Sequence, residues 1–142
     1  MPREANPAFV RTTLPFRLPL TGFFDQSGAI TYLLSYVMPF KATLERVTYV
    51  PDVAGAGAGA THAISVRKGN ATGTVLAVIT PTLALHVMGA AGIVATVAAA
   101  DEDKARFVDG DTISITKATG TVFSAAGGTL FLTFRQRPQG KV

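Results

Sequence analysis

The chain has 142 residues and a mass of 14.8 kDa, with thirteen Lys and Arg against nine Asp and Glu, so its formal charge is +4. That length suits one domain with its own core, and 48% hydrophobic against 15% charged residues excludes a disordered chain. Eight Pro and fourteen Gly argue against a helical bundle, and the lack of Cys removes disulfides, thiolate metal sites and thiol redox chemistry.

Residues 1–20 carry Pro2, Pro7, Pro15 and Pro19. Proline has no amide proton for a ladder, so this stretch is not a central strand. Its apolar residues alternate from Leu14 to Leu20, as an extended segment laid against a surface would place them. An arm held by a surface is therefore expected over 1–20, rather than a frayed terminus. Met1-Pro2-Arg3-Glu4-Ala5-Asn6-Pro7 has no apolar signal-peptide core, so no secretory signal is expected.

After the turn residues Asp25-Gln26-Ser27-Gly28, β-branched and aromatic content predicts a strand over Ala29–Met38, ended by Pro39. Ala42–Val50 is the clearest strand. Strict alternation places Thr43, Glu45, Val47 and Tyr49 on one face and Leu44, Arg46, Thr48 and Val50 on the other. The Ala/Gly loop 54–60 follows. It is not a phosphate loop, because no Gly-Lys-Ser/Thr comes after it and it leads into a strand. Strands are expected at His62–Arg67, Thr74–Thr80, Leu83–Met88, Ile93–Ala99, Asp111–Thr116 and Thr129–Gln136, with turns at Lys68–Gly73, Gly89–Gly92 and Asp109-Gly110. Asp101–Arg106 reads as a loop or a single helical turn. The uncharged run Val75–Ala100 is long enough to span a bilayer. Pro81, His86, Gly89 and Gly92 interrupt it, and two strands joined by a turn suit it better.

About eight short strands separated by turns predict an all-β fold: a single β-sandwich, jelly-roll-like and antiparallel, with an extended N-terminal arm. The expected organisation is an arm over 1–20, the sandwich over 21–136 and a basic tail over 137–142. The positive charge sits toward the two ends. Residues 1–20 sum to +2, 21–134 to −1 and 135–142 to +3. A nucleic-acid binder would carry a basic stripe interleaved with aromatic rings across the body, so nucleic acid is not an expected partner.

No motif in the chain announces a chemistry. His62 and His86 stand among apolar neighbours in strand-like stretches, where a histidine is more often structural than a general base. No Gly-x-Ser-x-Gly elbow and no His-x-x-x-His pair occur. Asp101, Glu102, Asp103, Asp109 and Asp111 offer oxygen ligands of the kind Ca²⁺ takes, but without EF-hand spacing and with Lys104 and Arg106 among them, so a solvated loop is expected. Asn70-Ala71-Thr72 matches a glycosylation sequon. No cofactor, no metal and no catalytic residue is assigned, and the chain is expected not to be an enzyme.

So few charges on so many apolar residues imply surface covered by partners. Aromatic, Leu and Arg side chains, the types enriched at interface cores, gather in the arm and at Phe131, Phe134, Arg135 and Arg137. An obligate homo-oligomer or a lattice component is expected.

The layout then resembles a known family. Pro15-Phe16-Arg17-Leu18-Pro19-Leu20 is followed by Leu44-Glu45-Arg46-Val47-Thr48-Tyr49-Val50-Pro51. His62-Ala63-Ile64-Ser65-Val66-Arg67 leads into a Gly-Asn turn and Gly73-Thr74-Val75-Leu76. Phe107-Val108-Asp109-Gly110-Asp111-Thr112-Ile113-Ser114-Ile115 and a closing strand from Thr129 to Arg135 complete it. Most of the chain resembles, by pattern, the small β-sandwich decoration (cement) proteins of tailed-bacteriophage capsids. The resemblance implies a homotrimer on the capsid exterior, in contact with the major capsid protein, with no membrane contact. Residues 1–20 would clamp neighbouring subunits through Phe9, Arg11, Leu14, Phe16, Arg17, Leu18 and Leu20, and their deletion would weaken attachment while leaving the domain folded. The competing expectation is a phage fibre or lectin-like carbohydrate-binding module. Three Tyr (Tyr32, Tyr36, Tyr49), two Asn and no Trp give that reading little to bind sugar with.

Overall fold

A computed structural model describes residues 10–18, 30–51, 63–70, 72–79, 93–97, 101–118 and 127–136. Nine strands run through them: β1 (Val10–Leu18), β2 (Ile30–Val37), β3 (Ala42–Pro51), β4 (Ile64–Lys68), β5 (Thr74–Ile79), β6 (Ile93–Thr96), β7 (Arg106–Phe107), β8 (Thr112–Lys117) and β9 (Gly128–Gln136). The fold is all-β, as expected. One sheet has the order β1-β9-β3-β6, with the short β7 also on β3, and the other has the order β2-β8-β4-β5. Every pairing is antiparallel. With β7 set aside, each sheet interleaves strands from the two halves of the chain in the order of a jelly roll.

The two sheets bury one core between them, which includes Leu18, Leu44, Val47, Ile64, Val66, Ile113, Ile115, Leu130, Leu132 and Phe134. Each such side chain contributes about 1.5–3 kcal/mol by leaving water. Phe134 lies at the centre of an aromatic group, edge-on to Phe40 at 6.3 Å and to Phe107 at 6.0 Å. Phe134 was expected at a docking surface; its alternate position on β9 turns it inward instead.

The arm differs from expectation in a way that matters for function. Over its described part it is β1, an edge strand paired with β9 of the same chain from Val10↔Gln136 to Leu18↔Gly128. The alternation read from the sequence is real, but the surface it lies on is the chain's own core. Phe16 and Leu18 are buried, Leu14 packs against them, and Phe16 meets Tyr36 edge-on at 5.3 Å. Pro15 sits mid-strand, which an edge strand tolerates because only one of its sides has a partner to pair with.

β3 departs from strict alternation. A register shift against β9 falls between Leu44 and Arg46, and one extra residue in a strand reverses which face the following side chains take. Ala42, Leu44, Val47, Tyr49 and Pro51 all point inward as a result, while Glu45 and Arg46 stand together on the outer side. The expected grouping of Thr43 and Glu45 with Val47 and Tyr49 is thereby corrected.

The uncharged run supplies β5 and β6, one to each sheet, and no described helix is long and apolar enough to cross a membrane. The expected strand Leu83–Met88, the turn at Gly89–Gly92, the Ala/Gly loop 54–60, His62, His86, Phe9, Leu20, Arg137 and the 137–142 tail lie outside the described residues.

Candidate interaction surface

The outer face of the β1-β9-β3-β6 sheet brings together Arg11 and Arg17 of the arm with Phe131 and Arg135 of the closing strand, half of the described residues that the sequence singled out there. Cross-strand register organises it in rows. Arg11, Arg135 and Thr43 form the first, and Thr13, Thr133, Arg46 and Thr96 the second. Pro15, Phe131, Thr48 and Val94 form the third, and Arg17, Thr129 and Val50 the fourth. Neighbouring strands are about 4.8 Å apart, so four strands spread these groups across a broad surface. Of the seven expected arm residues, Arg11 and Arg17 belong to this face, Leu14, Phe16 and Leu18 belong to the core, and Phe9 and Leu20 are not described.

Glu45, placed outward by the bulge, ties the first row together. Arg11 Nε donates to its Oε1 at 2.8 Å and Arg11 Nη2 to its Oε2 at 3.4 Å, while Arg135 Nη1 stands 3.8 Å from Oε2. Arg135 Nη2 in turn pairs with Glu102, which joins the 101–105 turn to the sheet. Thr43, Leu44, Glu45, Val97, Glu102 and Arg135 line a cleft of about 190 Å³ there. It is open on one side and both of its carboxylates are committed to arginine. Partly exposed pairs of this kind contribute only about 0–1 kcal/mol each; their effect is to fix the orientation of the guanidinium groups.

Further along the face, Thr13 and Thr133 share a hydrogen bond at 3.2 Å, and Arg17 Nη1 donates to Thr129 Oγ1 at 3.4 Å. Arg46 is exposed, and no carboxylate lies against it among the described residues. The face therefore carries Arg11, Arg17, Arg46 and Arg135 against Glu45 and the approaching Glu102, an excess of positive charge. Glu45's part in it was not legible from sequence, since its partners come from β1 and β9.

The acidic segment 101–111 forms the expected tight turn, with the Lys104 and Ala105 amides donating to the Asp101 carbonyl. Four of its five carboxylates are directed to different cations. Asp101 pairs with Lys104 at 2.8 Å, Asp103 with Arg106 at 3.1 Å and Glu102 with Arg135. The Asp111 carboxylate accepts from the Val108 amide and stands 3.6 Å from Lys68. The hydrogen bond and charge of Asp101 raise the Lys104 ammonium above its ordinary pKa. Among the described residues no three His, Asp or Glu side chains gather as a metal-binding group. Asn70 of the sequon is exposed, and its side-chain oxygen accepts from the Thr72 amide and hydroxyl, closing the β4–β5 turn.

Comparison with family models, with curated proteins and with solved structures finds no match to this chain.

Proposed function

We propose that the chain is a structural virion protein: a decoration subunit that binds the outside of an assembled phage capsid as a trimer and stabilises the shell, without catalysing a reaction. The observation that carries this reading is the outer face of the first sheet, with arginines from β1, β3 and β9 set among Thr, Pro, Phe and Val side chains. A site for a small molecule gathers a few polar groups around a pocket that encloses its ligand. This face instead spaces arginine and apolar contacts over a breadth that suits another protein surface, and arginine and aromatic groups contribute most at such surfaces. The jelly-roll order adds support, because that architecture serves capsid and lectin domains, although a fold alone does not fix a function.

In this reading the partner is the major capsid protein, presenting an acidic surface to the arginines. Because β1 is part of its own sheet, its share in the contact is Arg11 and Arg17 rather than a detached clamp. Binding the assembled shell but not its separated parts stabilises the shell by mass action, by about 2.7 kcal/mol per site at a hundredfold excess over Kd. Symmetric copies multiply the effect.

The test is sedimentation with particles purified from the lysate that yields this chain. The expected result is that the chain pellets with them in high copy, and that an Arg17→Glu, Arg46→Glu variant, folded by circular dichroism, binds at least about tenfold more weakly. A chain that stays in the supernatant as a small free species overturns the reading, and glycan binding then becomes the activity to assay.

A further inference from the structure

One flank of the sandwich lies opposite β1 and β2. It consists of β5, the last strand of one sheet, beside β6, the last strand of the other. Neither strand contains a charged residue, and no Asp, Glu, Lys or Arg occurs anywhere from Gly69 to Ala100. Among the described residues neither strand is paired on its outer side. Exposed valines border the flank on both sheets, with Val75 at 40%, Val78 at 47% and Val94 at 55% of full exposure. Val75 and Val78 are three residues apart, which in a regular strand would put them on opposite faces. A register shift between β4 and β5 opposite Val66 and Arg67 leaves Leu76 as an extra residue, so both valines point outward while Leu76 and Ala77 are buried.

Edge strands are normally guarded by charge, proline or irregularity. β1 follows that rule with Arg11, Pro15 and Arg17, so the flank it shares with the uncharged edge strand β2 is guarded along one of its two strands, whereas β5 and β6 both carry neither charge nor proline. We propose that the β5–β6 flank is where copies of this chain pack against one another. Charge selects the occupant. Copies of a +4 chain repel wherever their basic surfaces meet, and this flank lets them approach with no charged group to desolvate. Homo-oligomer interfaces are also more apolar than those between transient partners, and this flank is apolar, whereas the arginine face suits an acidic partner. The proposal deepens the decoration reading by locating the contact between subunits, yet its test uses free protein, so either can fail alone.

The chain has no cysteine, so single cysteines report proximity cleanly. Purified Val94→Cys and Val78→Cys variants, treated with a short bis-maleimide at micromolar concentration, are expected to yield covalent oligomers. A Val37→Cys variant, 60% exposed at the end of β2 on the other flank, is expected to remain a single chain. In parallel, sedimentation equilibrium of the unmodified chain is expected to show a mass above 14.8 kDa. A Val78→Lys, Val94→Lys variant that stays folded is expected to dissociate at least about tenfold more readily. Cross-linking that is equal at all three positions, a wild type of single-chain mass throughout, or a folded double-lysine variant of unchanged mass would each overturn the proposal. Should the lysine variant not fold, the cysteine series still decides.

Discussion

Tyr49 and Gly128 show how closely one residue can constrain another in this core. Tyr49 is fully buried on β3, and its hydroxyl donates to the Gly127 carbonyl at 3.2 Å, so the polar end of the ring is satisfied where β9 begins. A Cβ added to Gly128 would lie 2.6 Å from Tyr49 Cε1 and Oη, closer than non-bonded atoms approach, and the ring has no exposed side to move into. Gly128→Ala should therefore destabilise the domain by about 1–3 kcal/mol through overpacking, read as a lower urea midpoint with an unchanged slope. Gly110 makes the contrast. A Cβ there meets nothing, but φ is +96° in the Asp109-Gly110 turn, so the cost of Gly110→Ala is backbone strain of about 1–2 kcal/mol. If Gly128→Ala proved as stable as the wild type, the contact with Tyr49 would not be a constraint. Lys68 constrains the other sheet's junction: its ammonium donates to the Arg106 carbonyl, lies 5.3 Å from the Phe107 ring centroid and stands near Asp111, so one side chain links β4 to β7 and to the start of β8.

At the scale of elements, β1 is the one whose role changed most between sequence and structure, and truncation tests it. Removing residues 1–9 takes nothing from the described sheet and should leave unfolding cooperative. Removing 1–18 strips β9 of one of its two partner strands along the whole register, leaving β3, and deletes Phe16 and Leu18 from the core. The two side chains alone represent about 3–6 kcal/mol of burial, against a typical total stability of about 5–15 kcal/mol. The longer truncation should thus be largely unfolded or strongly destabilised by urea titration, and equal stability of the two forms would mean that β1 is dispensable. The sequence made most strands legible because β-branched and aromatic runs end at Gly, Pro, Asn or Asp. It also showed the alternation within β1. It could not show what β1 lies against, because the pairing is non-local: Thr13 and Thr133 are 120 residues apart. The bulge at Leu44–Arg46 was equally hidden, since Thr-Leu-Glu-Arg-Val reads as unbroken alternation until β9 sets the register. The two residues of β7 are too few to leave a periodic signal. The same non-locality hid the arginine face, for Arg11, Arg46 and Arg135 meet in rows only once three distant strands are joined.

At the scale of the whole molecule, the surfaces that carry the two proposed contacts differ in physical kind, and ionic strength separates them. The arginine face has Arg11, Arg17, Arg46 and Arg135 against two carboxylates. Attachment to an acidic surface through such groups is long-range at low salt and is screened as the Debye length falls from about 10 Å at 0.1 M to about 3 Å at 1 M. The β5–β6 flank has no charged residue to screen, and burial of its valines is not weakened by simple salt. A single sedimentation series across NaCl concentration, with and without particles, should therefore give opposite behaviour. Particle-bound chain should fall steeply as salt rises, first by slower association, while the mass of the free species stays constant or increases. Particle binding that is insensitive to salt would mean that apolar contact, and not the arginine face, holds the chain to the shell. Oligomers that dissociate with salt would move self-association from the flank to a charged surface.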